Sequence, residues 1–346
     1  MKKIVYALFL SGYIIYPQVN SIKFEFKHQS GIGSTLSFRG ICAVDKNIAW
    51  VSGTKGSVYK SQNGGKNWKK IIVPGSDYLD FRDIEVIDKN TIILMCAGPA
   101  EKSRIFKSTD NGQTWKVVYT NHHPNGFLDT IEFWDEKNGI AIGDPVNGKF
   151  NMLLTFDGGS SWIDADVQNI PEAKDGEVQF AASGTCISLF GNNLGWIGTG
   201  GKSSRVLKTT DQGKTWLPYH SPILQGESAT GIFSIYFKNK NDGIIVGGDY
   251  LKENKTDSTV AISEDGGVSW NLIKGNLPYQ SAVKSFLLGD KSIYLSTGPA
   301  GTYYSSDKIT WNKIGNGYHC LSVSKKDNSI WVAGSEGRIS RLFVNQ

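Results

Sequence analysis

Five aspartates in this chain recur in a setting that could pass for catalytic carboxylates. Asp110, Asp157, Asp211, Asp265 and Asp307 each follow a Ser or Thr by two residues and precede a Trp by four or five. Paired carboxylates are common tools of general acid and base work. These five, however, repeat one motif, Ser/Thr-x-Asp-x-Gly-x-Thr/Ser-Trp. It reads STDNGQTW at 108–115, TFDGGSSW at 155–162, TTDQGKTW at 209–216 and SEDGGVSW at 263–270. SQNGGKNW at 61–68 carries Asn63 for the acid, and SSDKITW at 305–311 is one residue short and lacks the Gly. The logic is that of a turn. The Asp accepts backbone N–H groups, as Asx side chains do, the Gly supplies a positive φ, and the Trp anchors the turn between neighbouring sheets. Asn63, Asp110, Asp157, Asp211, Asp265 and Asp307 are therefore read as structural.

The elements that would position any real site follow from the same repeat. The closing tryptophans, at 68, 115, 162, 216, 270 and 311, stand 41 to 54 residues apart, the length of a four-stranded blade with variable loops. Before each box an apolar strand ends in a Gly-rich turn and a second strand runs into the box, as in IAWVSGTKGSVYKS and GWIGTGGKSSRVLKT. A boxless seventh copy, CLSVSKKDNSIWVAGSEGRISRL, ends the chain one strand short. The alternating stretch Ile22 to Lys27 (IKFEFK) can supply that strand and close the ring, removing the last free sheet edge. The predicted fold is all-β, a seven-bladed β-propeller over 22–346.

In such a chain path the boxes share one face, here the bottom. The starts of the innermost strands and the turns between second and third strands share the top. The innermost starts bring Arg39, Arg82, Asp83, Asp129, Thr185 and His319 toward the channel; the turns add Arg104, Asp144, Arg205, Asp249 and Tyr250. Charged groups converging on a rigid scaffold suit binding; the plainer alternative is that they satisfy one another, with waters, inside the channel. Arg39 and Arg82 hold the same place in consecutive blades, so two guanidinium groups should meet at the mouth and favour a carboxylate-bearing partner.

Composition narrows the field. With 39% hydrophobic and 20% charged residues the chain is globular. The net charge of +5 comes without a dense basic run, so nucleic acid is not an expected partner. Lys2 and Lys3, an apolar stretch from Ile4 to Tyr16, and Val19 and Ser21 read as a signal peptide over 1–21, cleaved after Ser21. The expected location is therefore periplasmic, cell-envelope or extracellular, with no transmembrane segment in the mature chain. Cys42, Cys96, Cys186 and Cys320 match no zinc or CxxC spacing and sit in apolar strands, so they are expected as free thiols. No metal and no cofactor are expected.

Several segments carry a resemblance to a known family: SFRGI at 37–41, WVSGTKG at 50–56, DFRDIE at 80–85, FLDTIEFWD at 127–135, GDPVNGKF at 143–150, FAASGTC at 180–186, GIFSIYF at 231–237 and GGDY at 247–250. Together they resemble the bacterial group similar to the photosystem II stability and assembly factors, across nearly the whole mature chain. The boxes alone are shared with sialidases and sortilin-like receptors. The resemblance implies a seven-bladed propeller and an exported accessory role in holding or assembling other proteins. An oxidoreductase label used for some relatives finds no dinucleotide turn, CxxC or haem motif here. Two functions follow as expectations: a scaffold that binds a protein or glycan through its top face, or a sialidase-like glycan hydrolase or lyase. The latter would draw on the arginines, Tyr250, Glu132, Asp129 and Asp144, but SFRGI lacks the Arg-Ile-Pro pattern of sialidases.

Overall fold

The computed structural model describes residues 22–29, 32–275 and 277–345; the expected signal peptide lies outside them. Seven antiparallel sheets form a ring, a seven-bladed β-propeller with no α-helix among the described residues. Each blade runs from an innermost to an outermost strand. Blade 1 comprises Phe38–Ala43, Ala49–Gly53, Ser57–Ser61 and Lys69–Lys70. The innermost strands of blades 2 to 7 are Asp80–Val86, Leu128–Phe133, Ile187–Phe190, Thr230–Phe237, Ala282–Leu288 and Cys320–Val323.

Blade 7 is closed by the N-terminal strand Lys23–Gln29, antiparallel to Ile339–Asn345 with Phe24 opposite Val344 and Phe26 opposite Leu342. Strand period sets the register: Phe24 and Phe26 turn inward onto the blade 6–7 core while Lys23, Glu25 and Lys27 stay exposed. Blade 5 departs from the four-stranded plan. Glu177–Val178 pairs with Gly200–Gly201, which joins the top of Thr230–Phe237, making six strands. The segment joining blades 3 and 4 thus makes an excursion over the top face.

The repeated turns work as their composition dictates. At Asp211, Oδ1 accepts from Thr215 N (2.9 Å) and Thr209 Oγ1 (2.8 Å), and Oδ2 accepts from Thr215 Oγ1 (2.7 Å). Asp110, Asp157 and Asp265 repeat the pattern, and these bonds help hold their carboxyls down at about 2. Asn63 keeps one backbone bond, from Asn67 N. In the short copy Lys308 takes the missing Gly's place at φ +67°. Trp115, Trp216, Trp270 and Trp311 donate back to the turn, as Trp216 Nε1 does to Gly213 O (3.0 Å), whereas the indole N–H groups of Trp68 and Trp162 are buried without a partner. The four cysteines are free thiols. No helix among the described residues is long and apolar enough to cross a membrane.

Candidate functional site

The top mouth is built by one backbone device. The first two strands of blades 1, 2, 3 and 5 pair with a register shift that skips Arg39, Arg82, Asp129 and Phe233 in turn. A bulged residue leaves the ladder and its side chain is re-aimed. A further shift, between strands two and three of blade 3, skips Asp144. All five residues line one cavity of about 520 Å³, joined by Gln179, Phe180, Tyr250, Glu253, Tyr279 and His319.

Directly below, the next residues of the inner strands form a polar plug. Asp83 Oδ1 accepts from Ile84 N (2.9 Å); its Oδ2 accepts from Ile131 N (2.9 Å) and lies 2.9 Å from Thr130 Oγ1. Thr185 Oγ1 bonds Ser183 and Ser234, both at 2.7 Å, and Ser234 Oγ accepts from Val283 N. Gly184 is required here, since a Cβ at that position would stand 2.3 Å from Asp83 Oδ1. In this layer the channel does satisfy itself.

The mouth does not. Arg82 donates from Nε to Asp80 (2.6 Å) and from Nη1 to Ala181 O (2.7 Å), so its charge is matched internally. Arg39 makes one long bond, Nη1 to Ala182 O at 3.5 Å, and no ion pair with a described residue. Burial, then Arg82, pulls its pKa below the usual value, yet guanidinium stays charged. Burial and the flanking Arg39, Arg338 and Arg82 press His319 down to about 3, so its imidazole is neutral. Burial raises Tyr279, which therefore remains a phenol beside Arg39. Asp129 is pushed well above the carboxylate range by burial and Asp144, and burial raises Asp144 too. Asp129 Oδ2 and both amide atoms of Gln179 are buried without partners.

One side of the cavity is aromatic. Phe180 stacks on Phe233 with centroids 3.9 Å apart, and Tyr250 meets both edge-on at 6.3 and 6.0 Å. Phe180 arrives on the top-face excursion, which is pinned by Arg205. That guanidinium grips Glu177 through Nε (2.9 Å) and Nη2 (2.6 Å) and also bonds Glu172 O.

Of the eleven residues read as a mouth, Arg39, Arg82, Asp129, Asp144, Tyr250 and His319 share the cavity. The others have different places. Asp83 and Thr185 belong to the plug, and Arg205 pins the excursion. Arg104 bonds Glu101 O, and Asp249 caps its own loop through Leu251 N and Lys252. Glu132 is not near Tyr250: it lines a second cavity of about 410 Å³ at the bottom ends of the inner strands, with Glu85, Lys284 and Lys325. The expected pairing of Tyr250 with Glu132 is therefore not assembled; Tyr250 shares its cavity with Glu253 instead. Reading by strand starts missed Phe180, Gln179, Phe233 and Tyr279. Phe233 had a usable signal, because it stands before Ser234 as Arg39 stands before Gly40 and Arg82 before Asp83.

No family model matches the chain. No curated protein matches its sequence. Solved structures do match. "YCF48 bound to D1 peptide" is 14% identical over 92% of this chain and 96% of that one, with a TM-score of 0.61. The streptogramin B lyase structure is 15% identical over 94% and 98%, at 0.62. An ancestral GH74 enzyme is 15% identical over 90% of this chain and 46% of its own, at 0.61. At these identities the likeness is one of fold.

Proposed function

We propose that this chain is an exported scaffold that binds a protein partner through its top mouth, as an accessory factor in assembling or stabilising that partner, with a carboxylate of the partner seated on Arg39. The observation that carries this reading is Arg39 itself, a charge at the cavity wall with one marginal hydrogen bond and no ion pair to a described residue. A desolvated cation of this kind gains most from an anion that arrives with its own geometry. The excursion that roofs the cavity is fixed by a buried ion pair, so the site is formed in advance. The likeness to a propeller solved with a peptide is consistent with a protein partner. The alternative, a glycan hydrolase or lyase, rests on fold alone, since its proposed Tyr–Glu pair is split between two ends of the channel.

The test compares immobilised wild-type, Arg39→Gln and Arg82→Gln chains in capture from native envelope extract. The expected result is a partner retained by wild type, lost with Arg39→Gln and competed off by short acidic peptides. Arg82, already matched by Asp80, should matter less. A partner held equally by wild type and Arg39→Gln would refute the reading.

A further inference from the structure

The mouth presents its occupant with two unlike surfaces, and together they narrow what can enter. The anion side carries a single unmatched charge. Arg82 is matched by Asp80 and His319 is neutral, so Arg39 is the cation without an ion pair beside the Tyr279 phenol, in a cavity that Glu253 also lines. That phenol makes no hydrogen bond to the described residues through its hydroxyl and shares the cavity with Arg39. One cation and one neutral donor suit a monoanionic carboxylate better than a phosphate dianion.

The other surface is made of rings. Phe180 is half-buried, Tyr250 is 43% exposed, and both are held by Phe233, itself at a bulge. Offset and edge-on ring contacts give such a wall a preference for another flat ring. Two polar groups that could take sugar hydroxyls, Asp129 Oδ2 and the Gln179 amide, are buried although their residues line the cavity. That favours a peptide side chain over a glycan.

We infer that the partner segment entering this cavity carries an aromatic ring next to a single carboxylate, the carboxylate on Arg39 and Tyr279 and the ring against Phe180 and Tyr250. The inference rests on the carboxylate-binding reading of the mouth and adds the ring to it.

The probe is 3-phenylpropionate, followed on the full chain by saturation-transfer NMR and calorimetry. It is compared with 3-cyclohexylpropionate, 3-phenylpropan-1-ol, phenyl phosphate and galacturonate. A fragment of this size should bind with a dissociation constant of roughly 1 mM. Arg39→Gln should weaken it about tenfold or more, as loss of a charge-assisted bond does. Tyr250→Ala, at a ring that is 43% exposed and meets Phe180 and Phe233 edge-on, should weaken it several-fold with little change in melting temperature. The cyclohexyl analogue should bind less well and the alcohol not measurably. Equal binding of the cyclohexyl acid, or wild-type binding by Tyr250→Ala, overturns the inference while leaving the carboxylate reading intact. Preference for galacturonate over phenylpropionate overturns it in favour of a glycan. Wild-type binding by Arg39→Gln overturns both readings.

Discussion

Replacing Asp83 by Ala separates a structural plug from a binding mouth. Asp83 is 4% exposed and holds Ile84 N and Ile131 N, each at 2.9 Å. Alanine would leave both N–H groups buried without acceptors, at about 1–3 kcal/mol each. The expected loss is therefore roughly 2–6 kcal/mol of unfolding free energy, large for a single residue. Asp83→Asn keeps the shape and one acceptor and should cost less, and it removes a titration. Burial raises Asp83 to about 7 against its hydrogen bonds from Ile131 and Thr130, with Glu132 raising it further. The Thr130 hydroxyl fits a protonated partner, since it has one proton and two nearby oxygens, Asp83 Oδ2 at 2.9 Å and Gly184 O at 3.0 Å. Between roughly pH 4 and 7 the native chain then binds more protons here than the unfolded chain. This contribution to stability therefore falls as pH rises, by at most about 4 kcal/mol across the window. His319, depressed to about 3, acts with the opposite sign between its folded and unfolded values. The informative quantity is thus the difference between Asp83→Asn and wild type in urea unfolding at pH 4.5, 6 and 7.5, which should shift in favour of the variant as pH rises. Captured partner per folded molecule should not change. A difference that is flat with pH, or an Asp83→Ala chain within 1 kcal/mol of wild type, would refute the plug.

Two further outcomes follow from the same geometry. Asp211→Ala should lower stability by roughly 1–3 kcal/mol through its lost turn bonds and leave binding by the folded fraction unaltered; intact unfolding with lost binding would contradict the structural role of the boxes. The native protein should begin near Ile22 and fractionate outside the cytoplasm, which N-terminal sequencing checks; a chain beginning at Met1 in the cytoplasmic fraction would refute export.

Much of the architecture was legible because it repeats. Six box turns at blade-length intervals, and a last copy lacking one strand, were enough to give seven blades and to send Ile22 to Lys27 to the open edge; the observed strand is Lys23–Gln29. The excursion at Glu177–Val178 was not legible. Two residues of strand carry no periodic signal, and the ion pair that fixes them joins Arg205 to a residue 28 positions earlier. Arg205 accordingly looked free when counted along the chain and is the most fully paired arginine at the top. Tyr279 and Phe180 were missed for a similar reason. Neither lies on a bulge or within an innermost strand, so only the packed ring brings them to the mouth.

Why one layer of the channel is closed and the next is open follows from the bulges. Residues that stay in the ladder, such as Asp83 and Ser234, point at the neighbouring blade and are caught by its backbone N–H groups. Their identity is tied to the fold, because each N–H they release goes unsatisfied in a dry place. Residues skipped by the ladder carry no such duty. Arg39, Arg82, Asp129 and Phe233 occupy one position in four blades and span two cations, an acid and a ring. A position that tolerates a cation, an acid and a ring is not being chosen for packing. In a repeat protein that freedom is where a specific mouth can be written without disturbing the ring beneath it. Arg39, the member of the four left without an internal counter-charge, is therefore where a partner's anion has most to gain.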